Sequence, residues 1–333
     1  MNAINKLLEQ AEKNLLLYIS PLYKHLEKDL GREDDEEDFC GEQVEIFEWA
    51  GELTRLCEQD GVEIVGDADE IHNLSVVFAR NGCPNASCAI LEAALCEERY
   101  SGEVDLLADF IKYSSSAGRR FSEQAQKYYE RLCEIPRSRW NWRAYEFAID
   151  YLMDIVERRP EESDKIKMKY ENLADEYCEA FKKRAEADRA FHSKAKVAYK
   201  DNNIEQYQEI LREGMNTLQR APVCELYLAE YEFQRGEHEN AEQYIQQCIE
   251  GNRTIDNNIN MGYPYVLSAL CKIFNAYQRL GNEEVLKKYM EEIQQDYDSA
   301  VTWLSPRDER VGMLKKHIKV LKKRTNMMDD YEE

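Results

Sequence analysis

Turn-forming residues are scarce in this chain: 14 glycines and 7 prolines are spread over 333 residues. An all-β architecture needs turn chemistry about every 8–12 residues, so helices with short connections are expected. Long apolar runs are missing too. No uncharged apolar run approaches the roughly 18–20 residues of a membrane-spanning helix. The opening residues, MNAINKLLEQAEKNLLLY, carry charges where a secretory signal would have an apolar core. The expectation is a soluble, cytoplasmic chain with no membrane partner. Positive charge is in deficit: 44 Lys and Arg against 66 Asp and Glu give a net charge of −22. Most of such a surface repels a polyanion, so no direct binding of nucleic acid is expected.

The usual marks of site chemistry are also lacking. His25, His72, His192, His238 and His317 are far apart, with no HExxH and no Cys/His pair at ligand spacing. Cys83, Cys88 and Cys96 follow a C-x4-C-x7-C spacing without an evident fourth ligand, and they read as small buried hydrophobes. All ten cysteines are expected to be reduced thiols. No GxGxxG, P-loop, GxSxG or kinase motif is present. With 66 carboxylates, a pair of acids singles out nothing. Neither cofactor, metal nor catalysis is expected.

What the chain does contain is helical periodicity. In residues 1–66, Leu7, Leu8, Ala11, Leu15, Leu16 and Tyr18 form a stripe that Pro21 interrupts. The six acids Glu33–Asp38 then predict a solvated loop, and Val44, Phe47, Trp49, Leu53 and Leu56 resume a helix ending at Asp60-Gly61. Between Pro160 and Asp201 there is neither Gly nor Pro, while apolar residues recur every three or four positions. Two arrangements fit: one rod of about 60 Å, or two helices with a break near Lys182–Asp188. Residues 307–333 combine a basic amphipathic helix with an acidic tail, expected to cap the end of the array.

From about residue 67 the pattern repeats. In LYLAEYEFQRGEHENAEQYIQQCIE, Leu228 and Ala229 lie on a first helix, Gly236 makes the turn, and Ala241, Ile245 and Cys248 lie on a second. Small side chains let the two helices approach closely, and the glycine permits the reversal. This segment resembles the tetratricopeptide repeat, with Glu232 where that family usually carries Tyr. A second copy offers Ile273, Tyr277, Gly281, Met290 and Ile293, with Leu286 replacing the small residue of the second helix. Weaker copies include Gly82, Ser87, Leu91 and Ala94, then Ala125, Tyr129 and Leu132, then Phe147, Ala148 and Tyr151. The spacing is uneven: Asn203 and Gly236 are 33 apart, Gly236 and Gly281 45 apart. The resemblance covers roughly residues 67–300. It implies an all-α fold, an alpha-alpha superhelix in which a right-handed helical-repeat solenoid occupies residues 67–306.

The resemblance also implies a function. First helices of tetratricopeptide repeats line a concave groove that binds extended peptides, so the leading expectation is a scaffold or adaptor gripping a partner protein or peptide. A peptide-responsive regulatory sensor and a non-catalytic subunit of an enzyme complex are the alternatives. Counting from each turn, the groove positions fall at Lys194, Lys200, Tyr227, Glu230, Lys272, Asn275, Gln278 and Arg279, a partly cationic strip suited to an acidic segment. The family's clamp for chaperone tails is not matched in order, so that specificity does not carry over. A second candidate surface is Arg137-Ser138-Arg139-Trp140-Asn141-Trp142-Arg143, because Arg and Trp dominate interface hot spots; here Arg139, Trp140, Trp142 and Arg143 are the candidates, with one tryptophan expected in the core and one partly exposed.

Overall fold

The computed structural model describes residues 50–324, apart from 52, 56, 59–63, 65, 81, 185, 255–261, 280–282 and 305–308. The helices expected in residues 4–30, the acidic run Glu33–Asp38, and the turns at Asp60-Gly61, Gly281 and Pro306 lie outside the described residues. Between Ala68 and Arg324 the elements are α1 (Ala68–Arg80), α2 (Pro84–Cys96), α3 (Val104–Ser114), α4 (Arg119–Glu134), α5 (Trp142–Arg158), α6 (Ser163–Phe181), α7 (Ala187–Lys200), α8 (Ile204–Thr217), α9 (Pro222–Gln234), α10 (His238–Thr254), α11 (Gly262–Tyr277), α12 (Glu283–Trp303) and α13 (Glu309–Arg324), with short 3₁₀ turns between some of them. No strand occurs among the described residues, and no helix there is long and apolar enough to cross a membrane. The fold is an all-α helical repeat.

The chain divides between Ala180 and Phe181 into two compact units. In the first, α1 pairs with α2 and α3 with α4, while α1, α3 and α5 touch in series. In the second, α7 pairs with α8, α9 with α10 and α11 with α12, while α7, α9, α11 and α13 touch in series. Within each unit, odd-numbered helices are therefore A helices, each beside the next, and even-numbered helices are B helices. The stretch without Gly or Pro is two helices: α6 stops at Phe181 and α7 starts at Ala187.

One turn recurs at three of the A-to-B reversals. The amides of Gly82, Asn202 and Gly236 donate to the carbonyls of Ala79, Tyr199 and Phe233, while those of Cys83, Asn203 and Glu237 reach back to Phe78, Ala198 and Glu232. This double closure is the Schellman helix ending, which needs a left-handed residue at its pivot. Gly82, Asn202 and Gly236 have φ of 78°, 57° and 80°. Asn203, read from the sequence as the turn residue, instead caps α8, its side-chain oxygen accepting from the Gln206 amide. Asn141 caps α5 in the same way, accepting from Ala144.

Packing follows from side-chain size. Ala229 and Ala241 are fully buried where α9 and α10 meet, in one cluster with Leu226, Ile245, Cys248, Ile273 and Ala276. Leu228 points the other way, into the preceding pair, with Ala195, Ala198, Tyr207 and Leu211. Leu286, five residues beyond Gly281 as Ala241 is beyond Gly236, is buried in the α11–α12 core. Gly214 of α8 marks a close helix approach: a Cβ there would lie 2.8 Å from Cys224 Sγ and 3.0 Å from the Phe191 ring. In the first unit, Tyr145 stacks on Tyr177, with ring centroids 5.0 Å apart, and donates its hydroxyl to Glu176 at 3.0 Å, fastening α6 to α5.

Candidate functional site

The A helices of the second unit carry a ladder of polar aromatic groups. His192 of α7 lies on Tyr227 of α9, with ring centroids 3.5 Å apart. One turn on, Glu230 accepts a hydrogen bond from the Tyr263 hydroxyl of α11, and the Arg310 guanidinium of α13 sits 4.9 Å above the Tyr263 ring. Four successive A helices thus contribute to one row. Tyr227, Glu230, Tyr263 and Arg310 are half-buried, whereas His192 is buried.

Electrostatics in the row follow from burial. Burial holds the His192 imidazole well below its usual range, and the nearby Lys196 and Arg189 charges act in the same direction. Burial raises the Glu230 carboxyl, against the Tyr263 hydrogen bond and the Arg310 charge. Tyr263 is raised by burial first and by Glu230 second. The row therefore offers a neutral imidazole, two phenols and a carboxylate balanced by an arginine. These groups can orient a polypeptide through hydrogen bonds and ring contacts.

The eight groove positions read from the sequence divide. Tyr227 and Glu230 belong to the row. Lys194 and Lys200 lie half-buried on α7. Lys272 pairs with Asp296 of α12 at 2.6 Å, and Asn275 donates to Glu242 of α10 at 3.2 Å. Both are thereby turned toward B helices. Burial raises the Glu242 carboxyl, with the Lys272 charge opposing it. Gln278 and Arg279 are exposed at the end of α11.

In the first unit, the Arg/Trp stretch is tied into its own fold. Trp140 is buried, with the Arg137 guanidinium 3.6 Å above its ring and Tyr145 5.1 Å away. Arg143 and Asn141 both donate to Asp105, and Arg139 donates to the Gly102 carbonyl at 3.3 Å. Trp142 is half-buried beneath Arg143 and beside Phe147. The stretch joins α4 to α5; within it Ser138 and Arg139 are exposed and Trp142 is half-buried.

A Ser/His/Asp grouping also occurs in this unit, but it lacks nucleophile geometry. His72 Nδ1 lies 2.5 Å from Asp109 Oδ2. The Ser75 hydroxyl donates to the His72 carbonyl and to Asp109, not to the imidazole. All three residues are buried. Burial raises the Asp109 carboxyl, and His72 opposes the rise. Together they form a polar cross-link between α1 and α3. Among the described residues no three His, Cys, Asp or Glu side chains gather to hold a metal ion.

Sequence reasoning missed His192, Tyr263 and Arg310 as members of the row. A signal existed: His192, Tyr227 and Tyr263 are spaced 35 and 36 residues apart, near the repeat period.

No family model matches the chain, and no curated protein matches it. A solved structure from the functional characterization of Pseudomonas aeruginosa pilF is similar over 74% of this chain and 96% of its own, with a TM-score of 0.39 and 15% identity. That likeness is too loose to transfer a function.

Proposed function

We propose that this chain is a scaffold or adaptor of the tetratricopeptide kind, holding a partner protein segment along the A-helix row of its second unit. The observation that supports it is the ladder His192, Tyr227, Glu230, Tyr263 and Arg310, drawn from four neighbouring A helices. Tyrosine and arginine bring large contact area and directional hydrogen bonds at low entropic cost, which suits an interface better than a structural core. The repeat kind is supported by the recurring left-handed turn, by the close Ala229/Ala241 approach, and by the 34 residues between Asn202 and Gly236. In this reading Lys194, Lys200, Gln278 and Arg279 flank the row.

The test is quantitative affinity capture with the full chain as bait. A Tyr227→Ala/Tyr263→Ala double variant should lose its stoichiometric partner by about tenfold or more, given the weight of central aromatic residues. Glu209→Ala, on the exposed side of α8, should retain it. Thermal unfolding checks that the variants fold. Equal recovery by the double variant and the wild type would overturn the proposal.

A further inference from the structure

The last described A helix, α13, has three distinct sides. Leu314, Ile318 and Leu321 anchor it in the α11–α12 core. Beside them, Arg310, His317 and Arg324 lie against Tyr263, Phe274 and Tyr277 of α11, at 4.9, 6.4 and 5.2 Å. The third side is open: Met313 and Val320 are 41% and 44% exposed, and Phe274 is 36% exposed across the junction. The exposed Met313 and Val320, two turns apart, leave an apolar edge on a helix whose core side is already covered.

Their spacing is informative. Met313, His317, Val320 and Arg324 follow one another at intervals of four, three and four, the seam of a heptad. Lys316 and Lys323, both exposed, border that seam on the side away from α11. The helix holds seven basic residues and one acid, Glu309, in a chain of net charge −22.

We propose that the strip Phe274, Met313, His317 and Val320, rimmed by Lys316, Lys323 and Arg324, is a docking surface for an acidic amphipathic helix of a partner protein. Such a helix places apolar residues at its own heptad seam and Asp or Glu at the flanks. This deepens the scaffold reading by naming the chemistry of the partner, and it rests on that reading. Charge complementarity selects the occupant: a cationic rim around an apolar seam discriminates by sign as well as by contact. A second copy of α13 would set two cationic helices against each other. An anionic membrane is the poorer fit, because membrane-surface helices bury a broad apolar face in the lipid. Here that face is committed to the core, leaving Met313 and Val320, and the rest of the chain is strongly acidic.

The probe is a fluorescein-labelled synthetic peptide of three heptads with Leu at both seam positions and Glu at the flanks. Its comparison peptide keeps the Glu residues and carries Ser in place of Leu. Anisotropy titrations against the full chain across a salt series should show binding of the Leu/Glu peptide, with the Ser/Glu peptide weaker by about tenfold or more. Lys316→Glu/Lys323→Glu should weaken the Leu/Glu peptide by about tenfold and flatten its salt dependence. Val320→Asp should weaken it comparably, while Glu209→Ala should leave it unchanged. Equal binding of the two peptides, or wild-type binding by the double lysine variant, would overturn the proposal. So would a charge-reversal effect confined to phosphatidylserine vesicles with no peptide binding, which would make the surface a membrane contact. Loss of partner capture in the Tyr227/Tyr263 variant without peptide binding would overturn the docking surface while leaving the row; peptide binding without any effect of that variant on capture would do the reverse.

Discussion

The His192 imidazole lies flat on the Tyr227 ring, its plane inclined by 10° and its centroid 3.5 Å away. The contact joins α7 to α9 with a neutral, buried imidazole. Protonation would place a cation in a desolvated site already facing Lys196 and Arg189. The unfolded chain binds this proton below its ordinary value of about 6.5, whereas the folded chain resists it. Stability therefore falls as the pH drops below that value, because the unfolded state then holds more protons. His192→Gln should flatten this acid-side loss, measured as thermal midpoint from pH 7 to 5. An unchanged slope would show that another group controls it.

Glu225 of α9 has the opposite linkage. Burial first and the neighbouring Asp188 second raise its carboxyl from 4.5 to about 7. The unfolded carboxyl releases its proton near 4.5, the folded one only near 7, so between those values the folded state holds the extra proton. Stability is present at the acid end of that window and declines as the pH rises through it. Glu225→Gln should therefore raise the thermal midpoint at pH 8 more than at pH 5. Equal shifts at both pH values would contradict the assignment.

The turns give a pair of substitutions with opposite signs. Gly236→Ala forces a Cβ into a left-handed position and should cost about 1–2 kcal/mol. Asn202→Gly relieves the same conformation and should be neutral or stabilising by up to about 1 kcal/mol. Urea unfolding read by circular dichroism measures both. Destabilisation by Asn202→Gly beyond that range would mean that the asparagine side chain matters there.

Thiol reactivity should follow exposure. Cys96 and Cys133 are exposed, whereas Cys83, Cys88, Cys224, Cys248 and Cys271 are buried. Burial, followed by the Glu242 charge, pushes the Cys271 thiol up to about 12. The thiolate is the reacting form, so such a thiol is almost inert near neutral pH. Brief iodoacetamide treatment followed by peptide mapping should label Cys96 and Cys133 first. Early labelling of Cys271 would show that the α11–α12 core opens readily.

Much of the architecture is legible because helices and turns are local. Gly236 and the small Ala229 and Ala241 reveal a helical pair without reference to the rest of the chain, and the repeat spacing places its neighbours. The break between α6 and α7 is harder. No Gly or Pro marks it, and only the demand for a B helix to end there distinguishes two helices from one rod. The rotation of each helix is harder still. Lys272 and Asn275 sit correctly on an A helix, yet α11 touches α9, α10, α12 and α13. Periodicity alone does not say which neighbour a polar side chain meets. Trp140 poses the same problem: an Arg/Trp stretch reads alike whether the guanidinium stacks on its own indole or awaits a partner.

The matched Schellman endings at Gly82, Asn202 and Gly236 also bear on how this chain can change length. Each reversal is closed by hydrogen bonds confined to six successive residues, from Phe78 to Cys83, Ala198 to Asn203 and Glu232 to Glu237. Since each of these turns carries its own closure and, within a unit, each A helix leans on the next, such a helical pair behaves as a cassette. Duplicating the segment from Pro222 to the residue before Gly262 would add an A helix to the row and extend it by one rung. Cutting inside a reversal would cost two neighbouring helices at once.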